Sequence, residues 1–251
     1  MGAIRGKRLF SATTLVAACL AAAMPAVAKP LGVVELFTSQ GCNSCPPADA
    51  ALGRFVQQGN LVVLAYHVDY WDYLGWKDTL GSRANTERQY AYAKAFGSSQ
   101  VYTPQAVING SVHVIGSDLA GIENAIGTTS KEAGVMSVPV TMTQSGKQIT
   151  VSVAAAKKPP LALHGEVWIC SISKAILISI ARGENRGKEL TYYNVVRNLV
   201  KVGDWNGNPG SWSVPLDSVE HEGVDAAVAY VQDGSRDRPG PMLGAAYTLL
   251  H

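Results

Sequence analysis

One segment decides the fold, and it reads Gly32-Val33-Val34-Glu35-Leu36-Phe37-Thr38-Ser39-Gln40-Gly41-Cys42-Asn43-Ser44-Cys45-Pro46-Pro47-Ala48-Asp49. Residues 32–37 are mostly apolar, and such a short run predicts a buried β-strand. From about residue 45 to residue 58, apolar residues recur at helical spacing, so a helix is predicted directly after the strand. Cys42 and Cys45 are therefore expected between the end of a strand and the start of a helix.

The residues that follow alternate between strand and helix patterns. Residues 61–66 are almost continuously apolar, as in a strand that is covered on both faces and pairs in parallel with the first. Residues 82–96 are rich in helix formers, and Asn109-Gly110 joins two strand patterns as a tight hairpin turn. Ser117 then precedes a short helical pattern as its N-cap. The order predicted for residues 31–127 is βαβαββα, which is an α/β unit.

The chain changes character beyond about residue 130, where short strand patterns are separated by turn residues. About eight strands are predicted there, over residues 138–143, 148–155, 166–172, 176–181, 195–202, 211–216, 226–232 and 243–250. Such a run is typical of an all-β, sandwich-like domain. We therefore expect an α/β domain over residues 29–130 and a β-sandwich-like domain over residues 131–251.

Residues 1–28 have the pattern of a secretory signal peptide. A basic start precedes an apolar stretch over residues 9–23, and Ala26-Val27-Ala28 supplies a small-residue cleavage site. Two alternatives are a membrane anchor, for which the apolar stretch is short, and lipoprotein processing at Cys19. We expect a periplasmic or secreted protein that has no transmembrane anchor after signal cleavage.

The composition fits a folded protein and excludes one class of partner. Hydrophobic residues make up 47% of the 251 residues and charged residues 16%, with a formal net charge of +2. Proteins that bind nucleic acid carry a clustered basic surface, and no block of Lys or Arg follows the basic start of the chain. We expect no nucleic-acid partner.

The predicted order, with Cys-x-x-Cys between the first strand and helix and Thr103-Pro104 before the third strand, resembles the thioredoxin superfamily over residues 31–127. The chain also resembles a family of secreted bacterial proteins catalogued only as a domain of unknown function. That resemblance rests on the segment quoted above and on His67-Val68-Asp69-Tyr70-Trp71-Asp72, Tyr102-Thr103-Pro104-Gln105 and Gly183-Glu184-Asn185. The superfamily resemblance implies a thioredoxin-like N-terminal domain with a cis-proline loop, in which Thr103 and Pro104 offer backbone hydrogen bonds to substrate.

The two cysteines have a physical basis for redox chemistry that does not depend on the resemblance. A thiol at a helix N-terminus is stabilised as thiolate by the helix dipole and by free backbone N–H groups. Cys42, nearer the loop, is the expected nucleophile, and Cys45, one turn on, resolves the mixed disulfide. An inert disulfide and half of a metal site are the alternatives. Cys170 lies in an apolar run and is expected in the core.

The aromatic segment after the second predicted strand should border the cysteine pair, because parallel strands end at the same edge of a sheet. His67 and Asp69 are candidates for proton transfer, with a packed strand end and a turn cap as the alternatives. Trp71 and Trp76 belong to an aromatic cluster that either binds an extended peptide substrate or packs against the sheet edge.

These residues predict an exported thiol-disulfide oxidoreductase that acts on protein or peptide thiols and disulfides and exchanges electrons with a further redox partner. The Cys42–Cys45 disulfide would be its redox centre, with no other cofactor. Asn43 and Ser44 do not fix the direction of electron transfer. One alternative is a copper-binding or metallochaperone protein that uses Cys42, Cys45 and His67, because thiolate and imidazole suit copper. The other is a non-catalytic binding module.

Overall fold

The structure, a computed structural model, describes Gly2, residues 29–157 and residues 164–250. The predicted signal peptide and the lipoprotein alternative, apart from Gly2, lie outside the described residues. Within the part of the chain that is described, no helix has the length and apolar character needed to cross a membrane.

The first half of the chain alternates strands and helices. In order, these are β1 (Val33–Thr38), α1 (Pro46–Gln58), β2 (Val62–His67), a 3-10 turn (Asp72–Leu74), α2 (Arg83–Ala95), β3 (Gln105–Ile108), β4 (Val112–Ile115) and α3 (Leu119–Thr129). β1 pairs in parallel with β2 and antiparallel with β3, and β3 pairs antiparallel with β4. Asn109 and Gly110 both have positive φ at the turn between β3 and β4.

Local sequence signals explain where the first two helices begin and end. Pro46 occupies the start of α1, where a missing N–H leaves no helical hydrogen bond unmade. α1 is followed by Gly59, whose φ of 68° is the left-handed conformation that glycine adopts readily. Ser82 caps α2, because its side chain accepts a hydrogen bond from the backbone N–H of Asn85 at 3.2 Å. These signals place the start of α1 immediately after Cys45.

The described part of the second half consists of strands and one 3-10 turn (Leu216–Ser218). The strands are β5 (Val140–Ser145), β6 (Gln148–Val153), β7 (Gly165–Ser179), β8 (Glu189–Trp205), β9 (Gly210–Pro215), β10 (Ala226–Ser235) and β11 (Arg238–Leu249). Two separate strands were predicted over residues 166–172 and 176–181, where β7 runs without interruption. β7 pairs antiparallel with β8 along its whole length. These backbone hydrogen bonds keep the chain extended at the polar residue Ser173, which separates the two apolar runs.

A single sheet of eight strands joins both halves, in the order β11-β10-β7-β8-β2-β1-β3-β4. β8 lies parallel to β2, with Ala65 opposite Val195. At the same junction Asn194 donates from Nδ2 to the carbonyl oxygen of Val63 at 3.0 Å. The two predicted domains therefore share this sheet. The architecture is mixed α/β, with one large sheet and few helices.

A second sheet of three strands, in the order β5-β6-β9, packs on the portion of the large sheet that the second half supplies. Between the two sheets lies a buried apolar cluster that includes Ile149, Val151, Val167 and Val231. Another cluster fills the space between α1, α3 and the strands of the first half, with Leu36, Leu52, Phe55 and Ile122 among its members. The second of these cores supports the helix that begins at the cysteine pair.

A buried polar network links the two halves. Arg88 of α2 donates from Nε to Glu35 Oε1 of β1 at 2.7 Å and from Nη2 to Gln232 Oε1 of β10 at 3.0 Å. Tyr92, one helical turn on, donates a short hydrogen bond to Glu35 Oε2. Burial by itself would lower the pKa of Arg88, but Glu35, Tyr230, Tyr92 and Tyr66 together outweigh burial and raise it well above its ordinary value. The guanidinium therefore stays charged inside the protein.

Candidate active site

Cys42 and Cys45 form a disulfide at the start of α1, with a Cα–Cα distance of 5.4 Å. Cys45 is the residue just before the helix, so the pair lies at the positive end of the helix dipole. The relative exposure is 1% for Cys42 and 0% for Cys45. Access to the sulfurs therefore depends on the segments that surround the disulfide.

Gln40 connects the loop before the disulfide to the segment that follows β2. Its backbone N–H donates to Asp78 Oδ2 at 2.7 Å, and its side-chain Oε1 accepts from Trp76 Nε1 at 2.8 Å. The neighbouring Gly41 lies against Trp71, because a Cβ at Gly41 would be 3.1 Å from Trp71 Cβ. A side chain there would push Trp71 away. Trp71 and Trp76, both predicted near the cysteines, thus contact the residues just before the disulfide.

The second half of the chain reaches the same loop through the turn between β7 and β8. Asn185, fully buried in that turn, donates from Nδ2 to the carbonyl oxygens of Gln40 and Cys42, each at 2.9 Å. Lys188 donates from Nζ to Asn185 Oδ1 at 2.8 Å. The sequence holds a signal for this residue in Gly183-Glu184-Asn185, but a turn amide does not reveal which distant loop it contacts.

Asp49 lies one helical turn after Cys45 on the buried face of α1, with a relative exposure of 4%. Its Oδ1 accepts a hydrogen bond from Thr38 Oγ1 at 2.8 Å. Burial raises the pKa of Asp49 to about 7, against smaller lowering effects of His67 and of the Thr38 hydrogen bond. A carboxyl group that titrates near neutrality can exchange a proton beside the disulfide. Sequence reasoning missed Asp49 as a site residue, although a charged residue on an apolar helix face is a usable signal.

His67 ends β2 and is fully buried. Its Nδ1 lies 2.9 Å from Asp78 Oδ2, the same oxygen that accepts from the backbone of Gln40. Burial alone would raise the pKa of Asp78, but His67 and the hydrogen bonds from the backbone N–H groups of Gln40 and Leu80 outweigh burial and lower it. Asp78 is therefore a carboxylate that holds both the His67 ring and the cysteine loop.

Three buried polar atoms near Asp49 have no hydrogen-bond partner among the described residues, namely Asp49 Oδ2, His67 Nε2 and the Tyr192 hydroxyl. The rings of His67 and Tyr192 pack edge to face, with their centroids 4.6 Å apart. Asp49 also lines a cleft of about 240 Å³ between α1 and β8. Buried polar groups are usually paired, by internal water where protein partners are lacking, so these atoms are places where an internal water can bind.

The predicted substrate-binding loop lies next to the cysteine pair. The Thr103–Pro104 peptide bond is cis. The carbonyl of Thr103 accepts from Ser44 Oγ at 3.4 Å, and Ser44 Oγ lies 3.4 Å from Cys42 Sγ. Trp71 donates from Nε1 to Thr103 Oγ1 at 2.7 Å. The structure thus brings Thr103, Trp71 and the disulfide together at one edge of the sheet.

Asp69 has a different set of contacts. Its Oδ1 accepts from Thr86 Oγ1 at 2.6 Å, and Thr86 Oγ1 in turn accepts from the backbone N–H of Asp69 at 3.1 Å. Both hydrogen bonds tie the segment after β2 to the first turns of α2. Proton transfer by Asp69 or His67 stays a prediction, and so does peptide binding by Trp71 and Trp76.

A metal site belongs only to the alternative interpretation of the sequence. Across residues 29–157 and 164–250, no group of three or more His, Cys, Asp or Glu side chains is arranged to hold a metal ion. In this oxidised state Cys42 and Cys45 are bonded to each other, and His67 contacts Asp78. Cys170 is a buried free thiol, and burial raises its pKa to about 12. Copper binding by Cys42, Cys45 and His67 stays a prediction.

Comparison with other proteins relates this site to a known family and to known structures. The sequence model of a family described as "Protein of unknown function (DUF1223)" matches residues 33–232. A crystal structure of a protein from Agrobacterium tumefaciens is similar, with a TM-score of 0.79 and 36% identity over 88% of this chain and 95% of that chain. HBP35 of Porphyromonas gingivalis is similar in fold, with a TM-score of 0.59 and 15% identity over 88% of this chain and 76% of that chain. No curated protein sequence gives a significant match.

Proposed function

The chain belongs to the DUF1223 family of proteins of unknown function, and from its own site we propose that it is an exported thiol-disulfide oxidoreductase that acts on protein or peptide substrates through Cys42 and Cys45. One observation carries the proposal: the disulfide lies at the N-terminus of α1, with the buried carboxyl of Asp49 one turn behind it. An inert bridge needs no group that titrates near neutrality, whereas disulfide exchange moves protons as well as electrons.

We further propose a thioredoxin-like architecture for the first half and export of the mature chain. The order of strands and helices over β1 to α3 supports the first assignment. The sequence pattern of residues 1–28 supports the second, and an oxidising compartment is where a disulfide persists.

In the proposed reaction, a substrate thiolate attacks Cys42 Sγ, the bond to Cys45 breaks, and Cys45 leaves as a thiolate. A proton from Asp49 neutralises this buried leaving group. The second substrate thiolate then attacks the substrate sulfur of the mixed disulfide, which releases the Cys42 thiolate and an oxidised substrate. Two electrons pass to the cysteine pair; of the two substrate protons, one replaces the proton that Asp49 gave to Cys45, and the other goes to solvent. A thiol-disulfide partner restores the starting disulfide, and the reverse steps reduce a substrate disulfide.

We place the substrate peptide along the edge formed by Trp71, Trp76 and the Thr103–Pro104 loop. The exposed ring of Tyr73 stacks on Trp71 and extends the apolar surface there. Because Cys42 is buried, a substrate has to displace part of this edge before its thiolate reaches the sulfur. Recognition and access are therefore coupled, since only a peptide that binds the edge exposes the disulfide.

The reduction potential of the Cys42/Cys45 pair tests the proposal directly. Metal-free mature protein is equilibrated in glutathione buffers, and the fraction of oxidised pair is measured by thiol alkylation after denaturation. We expect a potential between about −120 and −270 mV, the range of catalytic cysteine pairs. A potential below about −300 mV is typical of a structural bridge and would contradict an exchange function.

Three variants identify the reacting sulfurs in an insulin-reduction assay. Cys42→Ser should abolish turnover, because it removes the attacking sulfur. Cys45→Ser should accumulate a mixed disulfide on Cys42, because no thiol resolves it. Cys170→Ala is the matched control and should retain turnover, since that thiol is buried in the core and forms no disulfide. Turnover that survives the loss of Cys42 would contradict the assignment.

A further inference from the structure

We infer that Asn185, assisted by Lys188, is a positioning residue that holds Cys42 in its reactive geometry and favours its thiolate form. The inference rests on the proposed thiol-disulfide chemistry of Cys42. It gives the second half of the chain a role at the cysteine pair, through the turn between β7 and β8.

The first argument is the geometry of the Asn185 amide. Asn185 Nδ2 carries two N–H groups, and it donates to the carbonyl oxygens of Gln40 and Cys42, each at 2.9 Å. These carbonyls flank Gly41, so one buried side chain fixes the conformation of the three residues that lead into the disulfide. Without the amide, each of the two carbonyl oxygens would lose a hydrogen bond from a buried donor, and the free energy of unfolding would fall.

The second argument is that the turn presents Asn185 rigidly. The backbone N–H of Gly187 donates to the carbonyl of Ile180 at 2.8 Å, and the N–H of Ile180 donates to the carbonyl of Lys188 at 3.0 Å. Gly183 has a φ of 75°, and a Cβ there would lie 3.1 Å from Trp76 Cβ. The turn therefore packs against the aromatic segment, and Asn185 reaches the cysteine loop from a fixed position.

The third argument is electrostatic. The carbonyl of Cys42 belongs to the same residue as the sulfur, and the partial negative charge on its oxygen opposes formation of the thiolate; a hydrogen bond donated to that oxygen draws part of this charge away. Lys188 Nζ binds Asn185 Oδ1 at 2.8 Å, which polarises the amide and strengthens both bonds that it donates. Asn185 and Lys188 therefore act on Cys42 in the same direction, and both favour the thiolate.

The test measures the pKa of Cys42 in reduced protein that carries Cys45→Ser, from the thiolate absorbance at different pH values. Asn185→Asp and Asn185→Ala should each raise the pKa of Cys42 by about one unit, which means about tenfold less thiolate below the pKa. In proteins that retain Cys45, the same changes should shift the glutathione equilibrium toward the disulfide by about tenfold, which is about 30 mV, at pH values above the pKa of Cys42, where the thiolate is the main reduced form. Lys188→Gln should cause a shift of about twofold to threefold in the same direction.

Asn194→Asp is the matched control. It removes a side-chain amide that also donates to a backbone carbonyl of the first half, that of Val63 at 3.0 Å. Val63 lies near the far end of β2, about 13 Å along the strand from His67. The control should lower the free energy of unfolding and leave the pKa of Cys42 unchanged.

Variants of Asn185 and Lys188 that lower the melting temperature but leave both the pKa of Cys42 and the glutathione equilibrium at wild-type values would overturn the inference. Lys188→Gln changes an exposed side chain, so it keeps the test decisive if the Asn185 variants do not fold. Neither readout needs a protein substrate. If the variants show these shifts but wild-type protein does not reduce insulin, the proposed function alone is contradicted; if wild-type protein reduces insulin and the variants show no shifts, the inference alone is contradicted.

Discussion

At the scale of single residues, Asp49 gives the protein a pH dependence that follows from its burial. Its pKa in the folded protein is about 7, against an ordinary value of 3.8. Between these values the folded protein keeps a proton that the unfolded chain has lost, so the free energy of unfolding falls as pH rises from about 4 to about 7. The slope from this one group is at most about 1.4 kcal/mol per pH unit.

Asp49→Asn removes the titration and keeps an oxygen that can accept from Thr38. We expect the free energy of unfolding of the variant, relative to wild type, to increase by about 1–3 kcal/mol between pH 5 and pH 8. Urea unfolding of the oxidised proteins at the two pH values measures this difference. Asp237→Asn, in the exposed turn between β10 and β11, is the control and should follow the wild-type pH dependence. An equal pH dependence in wild type and Asp49→Asn would contradict a raised pKa for Asp49.

The residues of the site differ in how far the sequence could reveal them. Cys42 and Cys45 are visible from their spacing and from the helix that follows them. Asp49 could have been identified as well, because its position places it on the same helix face as Cys45 and Leu52. Asn185 lies in a motif that the sequence singles out, but its role could not be predicted, because its contacts with the cysteine loop join residues 143 and 145 positions apart. A local sequence pattern does not predict which residues so far apart in the chain will be in contact.

At the scale of elements, Asp69 and Thr86 attach α2 to the end of β2, and this attachment makes a prediction about the role of Asp69. Asp69→Ala should lower the free energy of unfolding by about 1–2 kcal/mol, because it removes a hydrogen bond to a carboxylate. Thr86→Val should lower the free energy of unfolding by a similar amount. The double variant should lower it by less than the sum of the two single changes, because both changes remove the same contact. Urea unfolding of the three variants measures these costs.

The same variants separate anchoring from proton transfer. If Asp69 only anchors α2, the pH profile of glutathione exchange at the cysteine pair should be the same in Asp69→Ala and in wild type. A change in the profile that Thr86→Val does not reproduce would favour proton transfer by Asp69 instead, since Thr86→Val leaves the carboxyl group in place.

Elements with strong local signals were predicted close to their observed bounds, and those defined by pairing were not. α2 was predicted over residues 82–96 and runs over Arg83–Ala95, because Ser82 caps it and helix formers fill it. The hairpin at Asn109-Gly110 also follows from local backbone preferences. β7 and β8 are longer than their apolar runs because each supplies hydrogen-bond partners for the other. The pairing of β8 with β2 is likewise a long-range contact that no local pattern predicts.

At the scale of the whole molecule, the shared sheet and the Arg88 network couple the two halves. The guanidinium of Arg88 lies between the rings of Tyr66, Tyr92 and Tyr230, with its carbon 5.5, 5.1 and 5.6 Å from the ring centroids. Tyr66 belongs to β2 and Tyr230 to β10, so one cation contacts aromatic residues of both halves. We expect the halves to unfold together, in a single transition.

Arg88→Met tests this coupling, because it leaves the carboxylate of Glu35 buried without its cation. We expect a loss of about 3–5 kcal/mol in the free energy of unfolding, measured by urea titration. Adding Glu35→Gln should restore part of this loss, since the double variant no longer buries a charge. Arg83→Met is the control on the same helix: its pair with Glu87 is exposed, so its loss should stay below about 1 kcal/mol. A cost for Arg88→Met as small as that for Arg83→Met would mean that the network does not hold the halves together, and the shared sheet alone would have to account for their joint unfolding.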